Sequence, residues 1–156
     1  MSTCLRTVLP ASVSSLGFSS GEPLDYLGMD VSIDDTHIYL SMHKYIDNTL
    51  KLLEYTNLKP VRTPINADID ASSPILKPHM LRKFMTAVGC LGWLCNTGRP
   101  DIAYAHSRVA QHLATPTESA MNAVKRIYQY LAGTKRLCLS APLNEPDVDP
   151  TQLIMY

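Results

Sequence analysis

The sequence predicts an α+β fold that is mainly α, with a short β-hairpin followed by a small helical bundle. Within residues 26–33, apolar residues alternate with small or polar ones after Leu27, and residues 37–42 form a second run of strand-favouring residues. The turn-forming segment 34–36 separates the two runs and predicts the hairpin connection. Beyond residue 43, apolar residues recur at intervals of three and four, which indicates amphipathic helices.

Four helices are expected after the hairpin, and a proline-rich loop divides the first from the rest. The helices are predicted over residues 44–55, 81–96, 100–113 and 116–131. Four prolines at 59–78 predict an extended loop, because proline fixes φ and has no amide N–H to donate. Short connections among the last three helices favour their packing as a bundle.

Particular residues define the ends and faces of these helices. Either Thr115 or Thr117 is expected to cap the start of the last helix. Gly133 is expected to end that helix in the left-handed conformation, which glycine adopts without steric cost. The apolar faces are expected to include Leu52, Met85, Leu113 and Tyr128.

Length and composition bound the class of protein. A chain of 156 residues, 46% of them hydrophobic, suffices for one ordinary domain with a buried core. No apolar run reaches the roughly 18 residues of a membrane span, so we expect no membrane contact and an intracellular location, cytoplasmic or nuclear. The cysteines form no Cys-x-x-Cys pair, which predicts free thiols rather than a zinc site or a disulfide framework.

Cations are concentrated in one segment although the net charge is zero. Residues 77–136 carry nine Lys and Arg side chains and two carboxylates, a net charge of +7. Such a segment favours nucleic-acid phosphates, because each neutralised phosphate releases a bound counterion, and a solvated helical surface is the alternative. The candidate contacts are Lys44, Arg82, Lys83, Arg99, Arg108, Lys125, Arg126 and Tyr130. For Arg99 a local role stays open, either an ion pair with Asp101 or a bond to a carbonyl group.

No catalytic site is predicted within the chain. Paired carboxylates can hold the two metal ions of nucleotidyl transfer, but Asp34-Asp35 lies in a polar turn and is not part of a Tyr-x-Asp-Asp motif. His106 and His112 are six residues apart, which does not place two metal ligands on one helical face. Neither a Gly-x-Ser-x-Gly nucleophile nor a glycine-rich phosphate loop occurs.

Several ordered motifs together resemble a known family. They are Tyr26-Leu27-Gly28-Met29, Leu40-Ser41-Met42-His43-Lys44-Tyr45-Ile46, Lys59-Pro60-Val61-Arg62-Thr63-Pro64, Ala87-Val88-Gly89-Cys90-Leu91-Gly92-Trp93-Leu94, Arg99-Pro100-Asp101-Ile102 and the stretch from Ala123-Val124-Lys125-Arg126 to Gly133-Thr134. In this order they resemble the reverse transcriptase region of copia-type LTR retrotransposon Pol polyproteins. The resemblance covers residues 21–134, about three quarters of the chain.

That resemblance implies a truncated fragment containing the end of the polymerase palm and the thumb, the subdomain that grips the template-primer duplex. It divides the chain into an irregular remnant at 1–20, a hairpin resembling the primer grip at 21–42, a thumb-like helical domain at 43–136 and an acidic, proline-containing tail at 137–156. The primer-grip-like residues are Tyr26, Leu27 and Gly28. The tail would lead toward an RNase H domain.

The resemblance also implies partners and cofactors. The expected partners are an RNA–DNA or DNA duplex and the remainder of the Pol polyprotein, with the oligomeric state left open. No cofactor is expected in this fragment, because Mg²⁺ would bind only at the polymerase and RNase H sites, before residue 1 and after residue 156. The fragment alone is therefore expected to be inactive as an RNA-directed DNA polymerase. Two alternatives stay open: a domesticated host protein-interaction module without nucleic-acid binding, and a non-functional remnant.

Overall fold

An antiparallel sheet and a set of helices make up the computed structural model, which describes residues 24–26, 28–34, 36–55, 57–142 and 154–155. The chain forms two units, one from the described parts of 1–44 and 136–156, the other from 45–135. The predicted fold class, α+β and mainly α, is confirmed. The predicted irregular remnant at 1–20 lies outside the described residues.

Among the described residues, the sheet has five antiparallel strands in the order β1-β2-β3-β4-β5. Their bounds are β1 Leu24–Tyr26, β2 Met29–Ile33, β3 His37–Ser41, β4 Cys138–Pro142 and β5 Ile154–Met155. The predicted hairpin corresponds to β2 and β3, with Ser32 opposite Tyr39. Strand β4, within the predicted tail, pairs with β3 through Tyr39 and Ser140. Local sequence periodicity does not reveal such a pairing, because the two partners lie about a hundred residues apart.

Helices account for most of residues 43–133. Their bounds are α1 His43–Leu52, α2 Pro78–Thr97, α3 Ala103–Ala110 and α4 Glu118–Gly133. Helix α2 begins at Pro78, where proline's missing N–H costs nothing. The helix predicted over 100–113 is divided into a 3₁₀ turn at Pro100–Ile102 and the shorter α3.

Helix α4 has one expected end and one unexpected end. Thr117 is its N-cap, and the hydroxyl oxygen accepts a hydrogen bond from the Ala120 amide at 3.2 Å. Gly133 was expected in the left-handed conformation, but it is the last helical residue and Thr134 is the C-cap. A Cβ atom at Gly133 would lie 2.9 Å from Pro60 Cβ. Close packing against the proline-rich loop is therefore what favours glycine there.

The core of the helical unit is largely apolar. Buried side chains include Ile46, Leu50, Phe84, Val88, Leu91, Leu94, Ile102, Val109, Val124, Ile127, Tyr128 and Leu131. Tyr128, expected in the core, donates from its hydroxyl to the Ala87 carbonyl at 2.8 Å. Burial raises the pKa of Tyr128 well above its usual value.

Three residues expected on apolar faces are exposed instead. Met85 is 57% exposed, because the buried stripe of α2 is centred on Phe84, Val88 and Leu91. Leu52 is the last residue of α1 and its side chain is exposed, whereas that of Leu53, the next residue, is buried. Leu113 lies beyond the end of α3, where hydrogen bonds run from residue i+3 to i, so it does not continue the helical face.

The proline-rich loop is anchored to the start of α4. The Leu76 amide donates to the Pro116 carbonyl at 2.8 Å, and the Glu118 amide donates to the Pro74 carbonyl at 2.9 Å. Leu76 is also buried. These bonds fix the loop against the first turn of α4. Within the described residues, no helix has the length and apolar character needed to cross a membrane.

Candidate nucleic-acid interface

Arg99 is the largest fully buried side chain of the described residues. Its Nε and Nη2 atoms donate to the two carboxylate oxygens of Asp101 at 3.0 and 2.8 Å. Nη1 donates to the Thr134 carbonyl at 3.0 Å, and Nη2 also donates to the Thr134 hydroxyl at 2.7 Å. A guanidinium that is buried needs this many partners, because an unpaired buried charge is strongly destabilising.

Tyr130 completes the Arg99 network. Its hydroxyl donates to Asp101 Oδ2 at 2.8 Å, and the Arg99 guanidinium lies 5.7 Å from the centre of its ring. Burial first, and then the hydrogen bond to Asp101, raise the pKa of Tyr130. Of the local roles left open for Arg99, the structure shows the ion pair with Asp101, while the carbonyl that it contacts is that of the distant Thr134. The Arg99 guanidinium is therefore buried and engaged within the helical unit.

Contacts between the sequence motifs hold the helical unit together. Arg99 of one motif binds Thr134 of another, and Gly133 packs against Pro60 of a third. Arg126 Nη2 donates to Thr63 Oγ1 at 3.1 Å, which again joins α4 to the proline-rich loop. These motif residues therefore have structural roles that require no ligand.

Two further candidate cations make ion pairs with exposed carboxylates. Lys83 Nζ lies 3.5 Å from Glu54 and 5.1 Å from the centre of the Tyr55 ring. Arg108 Nη2 lies 3.0 Å from Asp68 Oδ1. Ion pairs of this exposed kind contribute little to stability, so these side chains can exchange partners at small cost.

Lys44 lies in the other unit, at the start of α1. Its Nζ atom is 2.5 Å from Asp30 Oδ1, and His43 Nδ1 is 3.0 Å from Asp30 Oδ2. Asp30 is buried within the sheet unit. The hydrogen bond that Lys44 donates to Asp30 raises the pKa of Lys44. Lys44 is therefore half exposed but already paired.

The primer-grip-like residues lie at the turn between β1 and β2. Tyr26 ends β1 opposite Met29, while Leu27 lies outside the described residues. Gly28 has φ of 81°, in the left-handed region that favours glycine. Its amide donates to Asp25 Oδ1 at 3.3 Å. The turn geometry accounts for the glycine in this motif.

Asp34 organises the next turn. Its Oδ1 accepts hydrogen bonds from the amides of Thr36 and His37 at 2.8 and 2.7 Å, and its Oδ2 accepts from the Tyr39 hydroxyl at 3.0 Å. These bonds, led by that of the Thr36 amide, lower the pKa of Asp34 to about 2. The turn expected here is confirmed. Across the described ranges, no group of three or more His, Cys, Asp or Glu side chains is placed to hold a metal ion.

One exposed face of α2 combines the predicted cation Arg82 with three residues that were not predicted to contact a ligand. It carries Arg82, Met85, Gly89 and Trp93, one helical turn apart in succession. Trp93 is 38% exposed, and a Cβ atom at Gly89 would meet nothing within 4 Å. Helix α2 contains no Asp or Glu. The sequence offers one indication of this face, because Gly89 and Trp93 are four residues apart and therefore lie on the same side of the helix. We call these four residues the α2 face.

Arg82 and Lys125 are exposed cations on two different helices, α2 and α4. Their neighbours Lys83 and Arg126 are more buried and are bonded within the unit. The predicted cations therefore fall into two groups. Lys83 and Arg126 bind partners within the unit, whereas Arg82 and Lys125 are exposed. Of the candidates on the helical unit, Arg82 is the one that also lies on the α2 face.

Three curated proteins that are similar to this chain come from transposons. The chain is 36% identical over 140 residues to the retrovirus-related Pol polyprotein from transposon RE2 of Arabidopsis thaliana, and 37% identical over 142 residues to that from transposon RE1. The Pol polyprotein from transposon TNT 1-94 of Nicotiana tabacum is 32% identical over 135 residues. The three alignments cover 83%, 85% and 81% of this chain, respectively.

The chain spans about a tenth of the length of these relatives, 9–10% in each case. No protein-family model matches the chain, and no solved structure matches it. The alignments nevertheless show that the chain is homologous to one segment of the copia-type, retrovirus-related Pol polyproteins of transposons.

Proposed function

We propose that this chain is the part of a retrotransposon reverse transcriptase that contacts the template-primer duplex and contains no nucleotidyl-transfer site of its own. The observation that carries the proposal is the α2 face, which is exposed, carries the Arg82 guanidinium and contains no carboxylate. The remainder of the Pol polyprotein would supply the polymerase and RNase H sites, and with them the Mg²⁺.

The chemistry of the α2 face fits a polyanion that has sugar and base surfaces as well as phosphates. Arg82 can pair with phosphate oxygens, and the Trp93 ring offers a surface for a sugar or a base. Gly89, between them, has no side chain to hold the duplex away. Because none of these groups reads the edge of a base in a fixed pattern, binding is expected to be independent of base sequence.

The test is a titration of a labelled RNA–DNA hybrid and a DNA duplex over a range of salt concentrations. Arg82→Glu should weaken binding at least tenfold at low salt, whereas Lys51→Glu, an equal change at an exposed residue of α1, should have little effect. Arg82→Met should lower the slope of log affinity against log salt by about 0.9, the value for one lost phosphate contact.

A wild-type affinity that does not change with salt would contradict the proposal. Equal losses for Arg82→Glu and Lys51→Glu would show that general charge, not the α2 face, is responsible. Absence of any duplex binding would favour the host-module or remnant alternatives. Circular dichroism of each variant establishes that the helices are retained.

A further inference from the structure

Thr63 lies on the proline-rich loop and is exposed, with Pro64 directly after it. The sequence contains three hydroxyl residues that are followed by proline, namely Thr63, Ser73 and Thr115. Proline-directed protein kinases require this order of residues in their substrates. Ser73 is half-buried, and its Oγ atom accepts from the Ser119 amide at 3.2 Å, whereas Thr115 is exposed. Exposure therefore leaves Thr63 and Thr115 as candidates for modification.

A guanidinium is already bound to the Thr63 hydroxyl. Arg126 Nη2 donates to Thr63 Oγ1 at 3.1 Å, across from helix α4 to the loop. Asp68 lines the same cavity as Arg126, but its Oδ1 atom accepts from Arg108 Nη2 at 3.0 Å. The Arg126 guanidinium therefore lies where a phosphate on the Thr63 oxygen would need a cation.

The chain around Thr63 is basic. Within four residues on either side, its charged side chains are Lys59 and Arg62, and both are exposed. Within four residues of Thr115, by contrast, there is no Lys or Arg, and Glu118 carries a negative charge. A phosphate on a threonine carries about two negative charges at neutral pH, so cations favour it and carboxylates oppose it. The charges therefore favour Thr63 over Thr115.

We propose that Thr63 is a phosphorylation site and that Arg126 binds its phosphate. The Thr63 hydroxyl oxygen attacks the terminal phosphorus of ATP, the bond from that phosphorus to ADP breaks, and the hydroxyl proton passes to the kinase. The added phosphate oxygens can accept two parallel hydrogen bonds from the guanidinium in place of the present single one. The modification thereby fastens the proline-rich loop to α4. It does not require the duplex contact proposed for the α2 face.

The test is incubation of the whole chain with ATP and a mitogen-activated protein kinase, which is proline-directed, followed by tandem mass spectrometry. Phosphate should be found on Thr63. In a Thr115→Ala chain, phosphorylation should raise the melting temperature by about 2–4 °C. This increase should shrink in about 1 M sodium chloride, because salt screens a partly exposed ion pair.

The role of Arg126 is tested by comparing phosphorylated and unphosphorylated forms of the same variant, so that the variant's own stability does not enter. Arg126→Met should abolish the increase in melting temperature while Thr63 is still phosphorylated. Lys125→Met, at the exposed neighbouring cation, should keep most of the increase.

A wild-type chain that receives no phosphate on Thr63, or receives it on Thr115 alone, would overturn the proposal, and this measurement requires no variant to fold. An increase that persists in Arg126→Met would overturn the binding of the phosphate by Arg126. A melting temperature that falls on phosphorylation of Thr63 would overturn it as well.

Discussion

Replacing Gly89 by alanine should stabilise the helical unit, although the residue lies on the face proposed to contact nucleic acid. Gly89 is in the interior of α2, and an added Cβ atom would meet nothing within 4 Å. Alanine is more favourable than glycine in a helix interior by about 0.8–1.0 kcal/mol. With no clash to subtract, we expect Gly89→Ala to raise the free energy of unfolding by about 1 kcal/mol and the melting temperature by roughly 2–8 °C.

Two other glycines serve as matched controls. At Gly92 the added Cβ would lie 3.2 Å from Nε2 of His106, a side chain that can move, so the helical gain is largely offset. At Gly133 it would lie 2.9 Å from Pro60 Cβ, and either the loop or the helix must shift. Gly89→Ala should therefore have the highest melting temperature of the three variants and Gly92→Ala the next. Gly133→Ala should have the lowest, below that of the wild type.

Thermal unfolding followed by circular dichroism measures this order. A Gly89→Ala variant that melts below wild type would refute the reasoning, because it would mean that the α2 face is covered. A Gly133→Ala variant as stable as Gly89→Ala would refute the packing of Gly133 against Pro60.

Three further predictions follow from the contacts of single residues and from the proposed function. Arg99→Met should lower the free energy of unfolding by about 3–5 kcal/mol, because it leaves the largely buried Asp101 carboxylate without its cationic partner. Arg82→Met, at an exposed residue, should change it by less than about 0.5 kcal/mol, and equal effects of the two variants in urea unfolding would contradict the network. The carboxyl of Asp34 should titrate by NMR near pH 2, below the ordinary 3.8. Its contribution to stability is then complete above pH 3.8 and is lost as the pH falls through 2, and a normal titration would refute the turn geometry. With a primer-template, nucleotides and Mg²⁺, the chain alone should incorporate nothing above background, and metal-dependent synthesis would disprove the assignment of catalysis to other parts of the polyprotein.

Features that depend on neighbours in the chain could be predicted from the sequence. The spacing of Phe84, Val88 and Leu91 produces a buried stripe wherever a helix meets a core, and the structure buries all three. Thr117 caps α4 because its hydroxyl reaches the amide three residues on, a purely local geometry. The turn at Asp34 is local in the same sense.

Features that depend on distant residues could not be predicted in this way. The ion pair of Arg99 with Asp101 is local and was among its expected roles, but its bonds to Thr134, thirty-five positions later, could not be identified from the sequence. Gly133 looks like a helix terminator until Pro60 is seen against it. The α2 face was missed for the opposite reason, since Met85 and Trp93 are apolar residues in an apolar helix and only the packing decides which of them stay exposed.

The pairing of β3 with β4 has a kinetic consequence. Ser41 and Cys138 are opposite each other, so the connection between these strands is residues 42–137, whereas β2 and β3 are joined by 34–36 alone. A flexible connection about thirty times longer raises the entropic cost of closure by about 3 kcal/mol. The edge of β3 should therefore stay open during synthesis until the intervening helices have compacted, and a polypeptide cut before Cys138 would keep that edge bare and prone to self-association.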